Sequence, residues 1–209
     1  MMDAKQAYDV WATQYDTNHN KTRDLEGQVL RQTLSGFSFE NVLEVGCGTG
    51  KNTEWIVTQA KYVTAVDLSG EMLAKAKAKV VSDRVTFIQA DINQLWAFVN
   101  QTFDLVTFSL VLEHIENLEA VFQNVFSTLQ SGGYCYVGEL HPFKQYSGTK
   151  ARFETASGQQ IVDCYNHHVS DFVKSAEAAG LVLATLNEYF DDDDQKAIPR
   201  ILTLLFKKP

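Results

Sequence analysis

The chain has no apolar run long enough to cross a bilayer, and its opening residues, Met1-Met2-Asp3-Ala4-Lys5, carry no apolar signal core. A soluble, cytoplasmic protein with no membrane partner is therefore expected. Cysteine is scarce. Cys47, Cys135 and Cys164 stand apart, with no C-x-x-C pair, which argues against a disulfide framework or a cysteine zinc site and for reduced thiols. Basic residues are in deficit, with 18 Lys and Arg against 26 Asp and Glu and a formal net charge of -8. Binding a nucleic-acid backbone needs clustered cations, so the charge balance speaks for a small-molecule partner and no nucleic acid. Low-complexity sequence is also missing. With 209 residues, 45% hydrophobic and 21% charged, the chain can bury one sizeable core, and one domain is expected.

What is present centres on Val42-Leu43-Glu44-Val45-Gly46-Cys47-Gly48-Thr49-Gly50. A short apolar run ending in three glycines reads as a buried parallel strand that feeds a tight turn at a helix start. Glycine tolerates positive φ and lets a ligand approach the backbone, and the first amides of the following helix are free to donate. A helix is expected over 52–60, then a second strand, Tyr62-Val63-Thr64-Ala65-Val66-Asp67. A carboxylate at that strand end can accept both hydroxyls of a ribose, and Ser69 is then free to cap a helix over 70–80. Val85 to Gln89 reads as a third strand running into Ala90-Asp91-Ile92, and Phe103 to Phe108 as a fourth running into Ser109. The helix over 118–129 is expected to stop at Gly132-Gly133, and Tyr134 to Leu140 forms a fifth strand before His141-Pro142. Near the end, Ser170 is the expected cap of a helix over 171–179 that stops at Gly180, and 181–189 and 201–206 form a closing antiparallel pair. Asp191 to Asp194 reads as a solvated turn.

The E-x-G-x-G-x-G loop resembles motif I of class I S-adenosylmethionine-dependent methyltransferases, and differs from the G-x-G-x-x-G of nicotinamide proteins. Tyr8-Asp9-Val10-Trp11-Ala12-Thr13-Gln14-Tyr15-Asp16 resembles the Y-D-x-W-A-x-x-Y-D opening of small-molecule members. The F-D-L-V, L-E-H-I and L-x-x-G-G phrases resemble the quinone-biosynthesis type, so the resemblance runs over essentially the whole chain. It implies a Rossmann-like, doubly wound seven-stranded α/β sheet, mostly parallel with a C-terminal antiparallel hairpin, in three αβα layers. It also implies S-adenosyl-L-methionine as cofactor, S-adenosyl-L-homocysteine as product, and a small-molecule methyl acceptor with an O, N, S or C nucleophile. In that family Glu44 organises the loop around the methionine part, beside Gly46, Cys47, Gly48 and Gly50. Asp67 holds the ribose, Asp91 accepts from the adenine amino group, Ile92 packs on the ring, and Leu68 belongs to the same cofactor set. Tyr8 and Ser109 complete the expected cofactor set. Leu110 stands where metal-assisted relatives carry a second carboxylate, so no metal is expected. Residues 1–35 form a helical cap, and 142–166 an inserted substrate lid in which Tyr146, Arg152, Phe153 and Tyr165 select the acceptor; an edge hairpin or a dimer contact are the alternatives for that insertion.

For proton removal the candidates are His141, His114 and Tyr15, with capping of the next helix or support of the pocket as the alternative for Glu113 and His114. His141 follows the fifth strand, where an imidazole either takes a proton from the acceptor or fixes the loop before Pro142. Cys47 reads as a small filler, and Trp11 as an aromatic packed on the core. His167-His168 lacks partners at metal spacing. A nicotinamide oxidoreductase and a non-catalytic cofactor-binding partner subunit are the rival readings, and either a monomer or a homodimer is compatible with the sequence.

Overall fold

In the computed structural model, which describes residues 3–155, 158–191 and 197–209, the apolar runs become nine strands. β1 (Phe39–Val45), β2 (Ala60–Asp67), β3 (Val85–Gln89), β4 (Phe103–Ser109), β5 (Leu129–Leu140), β8 (Val182–Tyr189) and β9 (Ile201–Lys207) form one sheet in the order β3-β2-β1-β4-β5-β9-β8. The first five are parallel, and β9 lies antiparallel between β5 and β8. β6 (Arg152–Thr155) and β7 (Gly158–Ile161) pair as a separate hairpin, as the flanking runs predict. Its turn residues Ala156 and Ser157 lie outside the described residues, as do Met1, Met2 and the aspartates at 192–194.

The sheet is doubly wound. Its helices are α1 (Ala4–Trp11), α2 (Lys21–Leu34), α3 (Thr53–Gln59), α4 (Gly70–Lys79), α5 (Leu118–Thr128), α6 (Pro142–Tyr146) and α7 (Val169–Ala178). Alternation of side chains across each strand feeds two cores. Leu43, Val45, Val106 and Phe108 pack with Phe122 and Val125 of α5 and Phe172 of α7, while Val42, Val63 and Leu105 pack with Leu30 and Leu34 of α2 and Ile56 of α3. A third cluster joins Ala7 and Trp11 of α1 to Met72 of α4 and to Phe153 and Val162 around the hairpin. None of the described helices is long and apolar enough to cross a membrane.

Register decides where ligands meet the chain. Val45 stands opposite Val66 on one side and Phe108 on the other, so the residues that leave β1, β2 and β4 emerge together at one sheet edge. That is the carboxyl edge where open α/β sheets bind ligands.

Two local expectations need correction. The glycines do not end α5: Leu129 is already extended as its C-cap, and Gly132 (φ +82°) instead lets residues 130–133 loop out where the β4/β5 register jumps. The cap of α7 is His168, not Ser170, because the Asp171 carboxylate accepts from the His168 amide at 2.8 Å and starts the helix two residues earlier. The one-turn helix α6 was not legible as a separate element; the His141 side chain caps it and Pro142 stands at its first position.

Candidate active site

The glycine turn is suspended from its neighbour strand. The amides of Gly46 and Cys47 both donate to the Val66 carbonyl, at 2.7 and 3.0 Å. Gly46 has φ +74°, and a Cβ there would lie 2.2 Å from a methyl of Val111. Gly48 has φ +53°, with nothing within 4 Å of an added Cβ, so the backbone is open to a ligand at this point.

Asp67 closes the turn from β2. One carboxylate oxygen accepts from the Gly48 amide at 2.8 Å and the other from the Ser69 amide at 2.8 Å. Burial raises its pKa above the ordinary carboxylate value, against these hydrogen bonds, which lower it. Ser69 caps α4 as expected, accepting from the Met72 amide, while its hydroxyl donates to Asp9 at 2.6 Å. A second tie joins Thr49 of the turn to Asp16 at 2.6 Å, and Lys79 holds the other oxygen of Asp16. Each aspartate of the two Tyr-Asp pairs thus latches the N-terminal segment to the glycine turn or to α4. Their tyrosines, Tyr8 and Tyr15, face a cleft of about 760 Å³, counted with the part open to solvent.

The cleft brings together Gly46, Gly48, Asp67, Leu68, Asp91, Ile92, Ser109, Tyr8, Tyr15 and His114. Asp91 accepts from the amide and side chain of Asn93, and its loop forms one end wall. His114 sits on a single 3-10 turn, Leu112–His114, directly after β4. Its Nδ1 lies 2.8 Å from the Asp163 carbonyl and its Nε2 lies 2.9 Å from the Tyr8 hydroxyl. A carbonyl only accepts, so Nδ1 carries the proton and Nε2 accepts from Tyr8.

Comparison with known proteins accords with this geometry. Residues 43–137 match the family described as a methyltransferase domain. The chain is 26% identical over 167 residues to a malonyl-[acyl-carrier protein] O-methyltransferase of Priestia megaterium (strain DSM 319 / IMG 1521), covering 78% of this chain and 56% of that protein. It is 30% identical over 162 residues to a ubiquinone biosynthesis O-methyltransferase of Xanthomonas euvesicatoria pv. vesicatoria (strain 85-10), covering 74% and 64%. It therefore spans less than two thirds of the length of either relative. The fold is that of the solved DhpI-SAM-HEP complex, with a TM-score of 0.77 at 21% identity over 99% of this chain and all of the other.

Not every expected site residue reaches the cleft. Glu44 lies beneath the turn and accepts from the Thr53 hydroxyl at 2.6 Å, so it ties β1 to α3; burial pushes its pKa up to about 8. Cys47 is buried, and burial raises its thiol well above the ordinary value, in keeping with a filler. Gly50 (φ +80°) packs against Ala76 of α4, where a Cβ would come within 3.2 Å, so its role is close packing.

Of the two readings of His141, the geometry is that of the one that fixes the loop before Pro142. Its ring is fully buried, with Nδ1 accepting from the Phe143 amide and Nε2 donating to Glu188 at 2.8 Å. Burial lowers its pKa, with the Glu188 carboxylate opposing. Both nitrogens are consumed away from the cleft. His141→Ala is expected to cost about 1–3 kcal/mol of stability, the scale of orphaning buried hydrogen-bond partners, and to leave S-adenosylhomocysteine affinity unchanged. Thermal melts and a binding titration of the variant check both halves.

The lid residues also lie apart from the cleft lining. Phe153 stacks on Trp11 at 5.0 Å, which is itself stacked on Tyr8, and Tyr146, Arg152 and Tyr165 are exposed. Yet the chain after the hairpin does touch the site: the Tyr165 amide donates to the Glu113 carbonyl at 2.7 Å, beside the Asp163 contact. Glu113, His114 and Cys164 place donor atoms within 4.8 Å of one another. Both imidazole nitrogens of that trio are engaged by protein groups.

Glu139 is a residue supporting the cleft wall that sequence reasoning missed. From the end of β5 its Oε1 accepts from the amides of Val111 and Leu112, at 2.9 and 2.8 Å, and so fixes the start of the 3-10 turn. Just before it, Leu110 takes φ +58°, a conformation that costs an L-residue free energy, and its amide donates to the Gly138 carbonyl. Burial, followed by the Glu113 carboxylate, pushes Glu139 up to about 8. With Glu44 at about 8 and Glu26 at about 7, the folded protein holds protons that the unfolded chain releases near pH 4.5. Their stabilisation is complete below that pH and is lost as pH rises toward 8, by up to about 1.4 kcal/mol per unit for each group. The melting temperature should accordingly be lower at pH 8.5 than at pH 6.5, and Glu139→Gln should narrow the difference. A flat profile in the parent protein would contradict these assignments.

Proposed function

We propose that this chain binds S-adenosylmethionine in the cleft and transfers its methyl group to a small-molecule acceptor. The observation that carries the reading is the Asp67 carboxylate, pinned between the Gly48 and Ser69 amides at the edge of a cleft walled by Asp91 and Ile92. The residues present fit that cofactor. Asp67 receives the ribose hydroxyls, Asp91 the adenine amino group, Ile92 and Leu68 pack on the base, and the open backbone at Gly48 accommodates the amino-acid end. When bound, the sulfonium supplies an activated methyl group that leaves to a lone pair. The protein's share is to orient the acceptor, exclude water and accept a proton. Ser109, the last residue of β4, and Leu110 line the cleft together with His114, where an acceptor would be held. Relatives named as O-methyltransferases, and a solved structure named as the N-methyltransferase NodS with S-adenosyl-l-homocysteine, support a small acceptor without selecting its atom. Residues 142–166 then serve as the acceptor-side lid in a cytoplasmic monomer or homodimer.

The test is transfer of label from [methyl-³H]S-adenosylmethionine to a panel of phenols, amines and carboxylic acids. Label in at least one product is expected. Saturable cofactor binding with no transfer to any class would favour a non-catalytic partner subunit.

A further inference from the structure

We propose that Tyr8 is the residue that meets the acceptor's proton, and that it passes a proton to His114, so that the acceptor is a hydroxyl or amine compound. The inference rests on the methyltransferase reading above and deepens it. The sequence reading places Tyr8 in the cofactor set and His114 among the candidates for proton removal, without joining the two.

The geometry is that of a relay. Tyr8 and His114 both line the cleft, and the Tyr8 hydroxyl lies 2.9 Å from His114 Nε2. His114 Nδ1 is fixed as a donor by the Asp163 carbonyl at 2.8 Å, which leaves Nε2 with its lone pair toward Tyr8. The Tyr8 ring is held from three sides. It stacks on Trp11 at 5.6 Å, meets the edge of His114 at 5.4 Å, and rides on a helix that Asp9 ties to Ser69. Near the same nitrogen, Glu113 places one oxygen 3.9 Å from Nε2, and its other oxygen is buried without a hydrogen-bond partner among the described residues. A carboxylate so placed stabilises positive charge as the ring gains a proton. Burial, and then the neighbouring Tyr15 and Glu113, raise the Tyr8 phenol well above its ordinary pKa, so the phenol stays protonated and moves a proton only by taking up another.

The step balances. The acceptor's lone pair forms a bond to the methyl carbon as the carbon–sulfur bond breaks, and that electron pair stays on sulfur. The acceptor's proton moves to the Tyr8 oxygen while the Tyr8 hydroxyl proton moves to His114 Nε2. The products are a methylated acceptor, neutral S-adenosylhomocysteine and an imidazolium that later yields its proton to water. A carboxylate acceptor carries no proton at neutral pH and leaves the relay nothing to do. The arrangement therefore selects a weakly acidic O–H or N–H compound.

Two readouts test this. In the S-adenosylhomocysteine complex, ¹⁵N resonances of the His114 ring should report a proton on Nδ1, and Tyr8→Phe should move the Nε2 resonance while leaving Nδ1 in place. With catechol, benzylamine and benzoate as acceptors, transfer is expected to catechol or benzylamine and not to benzoate. Tyr8→Phe should lower kcat about 100-fold or more, the scale of a lost general base, with a much smaller change in S-adenosylhomocysteine affinity. A proton on Nε2, an Nε2 resonance blind to Tyr8→Phe, an unchanged kcat, or transfer confined to benzoate would each overturn the relay. Failure of S-adenosylhomocysteine to bind would instead sink the cofactor reading, and the tautomer measured on the free protein would still decide the Tyr8–His114 assignment.

Discussion

Gly46→Ala is expected to weaken S-adenosylhomocysteine binding by a factor of about 30 to several thousand, the largest single effect in the cleft. Two costs combine. An L-residue at φ +74° loses ~1–2 kcal/mol in the left-handed region. The added methyl must also displace Val111, whose Cγ2 stands 2.2 Å from the ideal Cβ position, and overpacking of this kind costs ~1–3 kcal/mol. Val111 cannot easily retreat, because Glu139 holds its amide and that of Leu112. The glycine turn has to yield, and with it the backbone facing the cofactor. Pairing Gly46→Ala with Val111→Ala removes the clash and leaves the backbone cost, so the double variant should recover part of the affinity. Gly48→Ala is the contrast: its φ of +53° is also left-handed, but the added methyl meets nothing, so its melting temperature should fall less than that of Gly46→Ala. Equal affinity of Gly46→Ala and the parent would show that Val111 and the turn do not define the cleft.

Asp67→Ala should cost about 3 kcal/mol of cofactor affinity, roughly 100-fold, through two losses that act together. The ribose hydroxyls lose a charged acceptor, and the Gly48 and Ser69 amides lose the carboxylate that sets the turn. Asp67→Asn keeps one oxygen and should fall between parent and Ala. Because Ser69 keeps its cap on Met72 and its bond to Asp9, the variant should fold, and calorimetry can separate affinity from stability. Unchanged affinity in folded Asp67→Ala would remove Asp67 from the ribose role.

The strand ends that meet at the cleft were legible because each is local in sequence. The apolar run into Gly46-Cys47-Gly48, the strand into Asp67 and the strand into Asp91 each announce an element and its exposed end, and parallel register brings the ends together. The contacts around His114 are non-local and were hidden. Whether His114 faces Tyr8 depends on a contact 106 residues apart, and its tautomer on the Asp163 carbonyl 49 residues away. Glu139 supports Val111 from the neighbouring strand, which no spacing rule reveals. His141 misled for the same reason: a histidine at the carboxyl edge looks reactive, but its Glu188 partner lies on β8, across the antiparallel β9. The one available signal was Gly138-Glu139 itself, a carboxylate at the end of an otherwise apolar strand, which must find donors wherever it is buried.

The most direct test of the central claim is isothermal titration of the purified protein with S-adenosylhomocysteine, with NADH titrated in parallel. Saturable binding of S-adenosylhomocysteine alone, lost in Asp67→Ala, is the predicted result. Binding of NADH alone would contradict it and make the glycine turn a nicotinamide site.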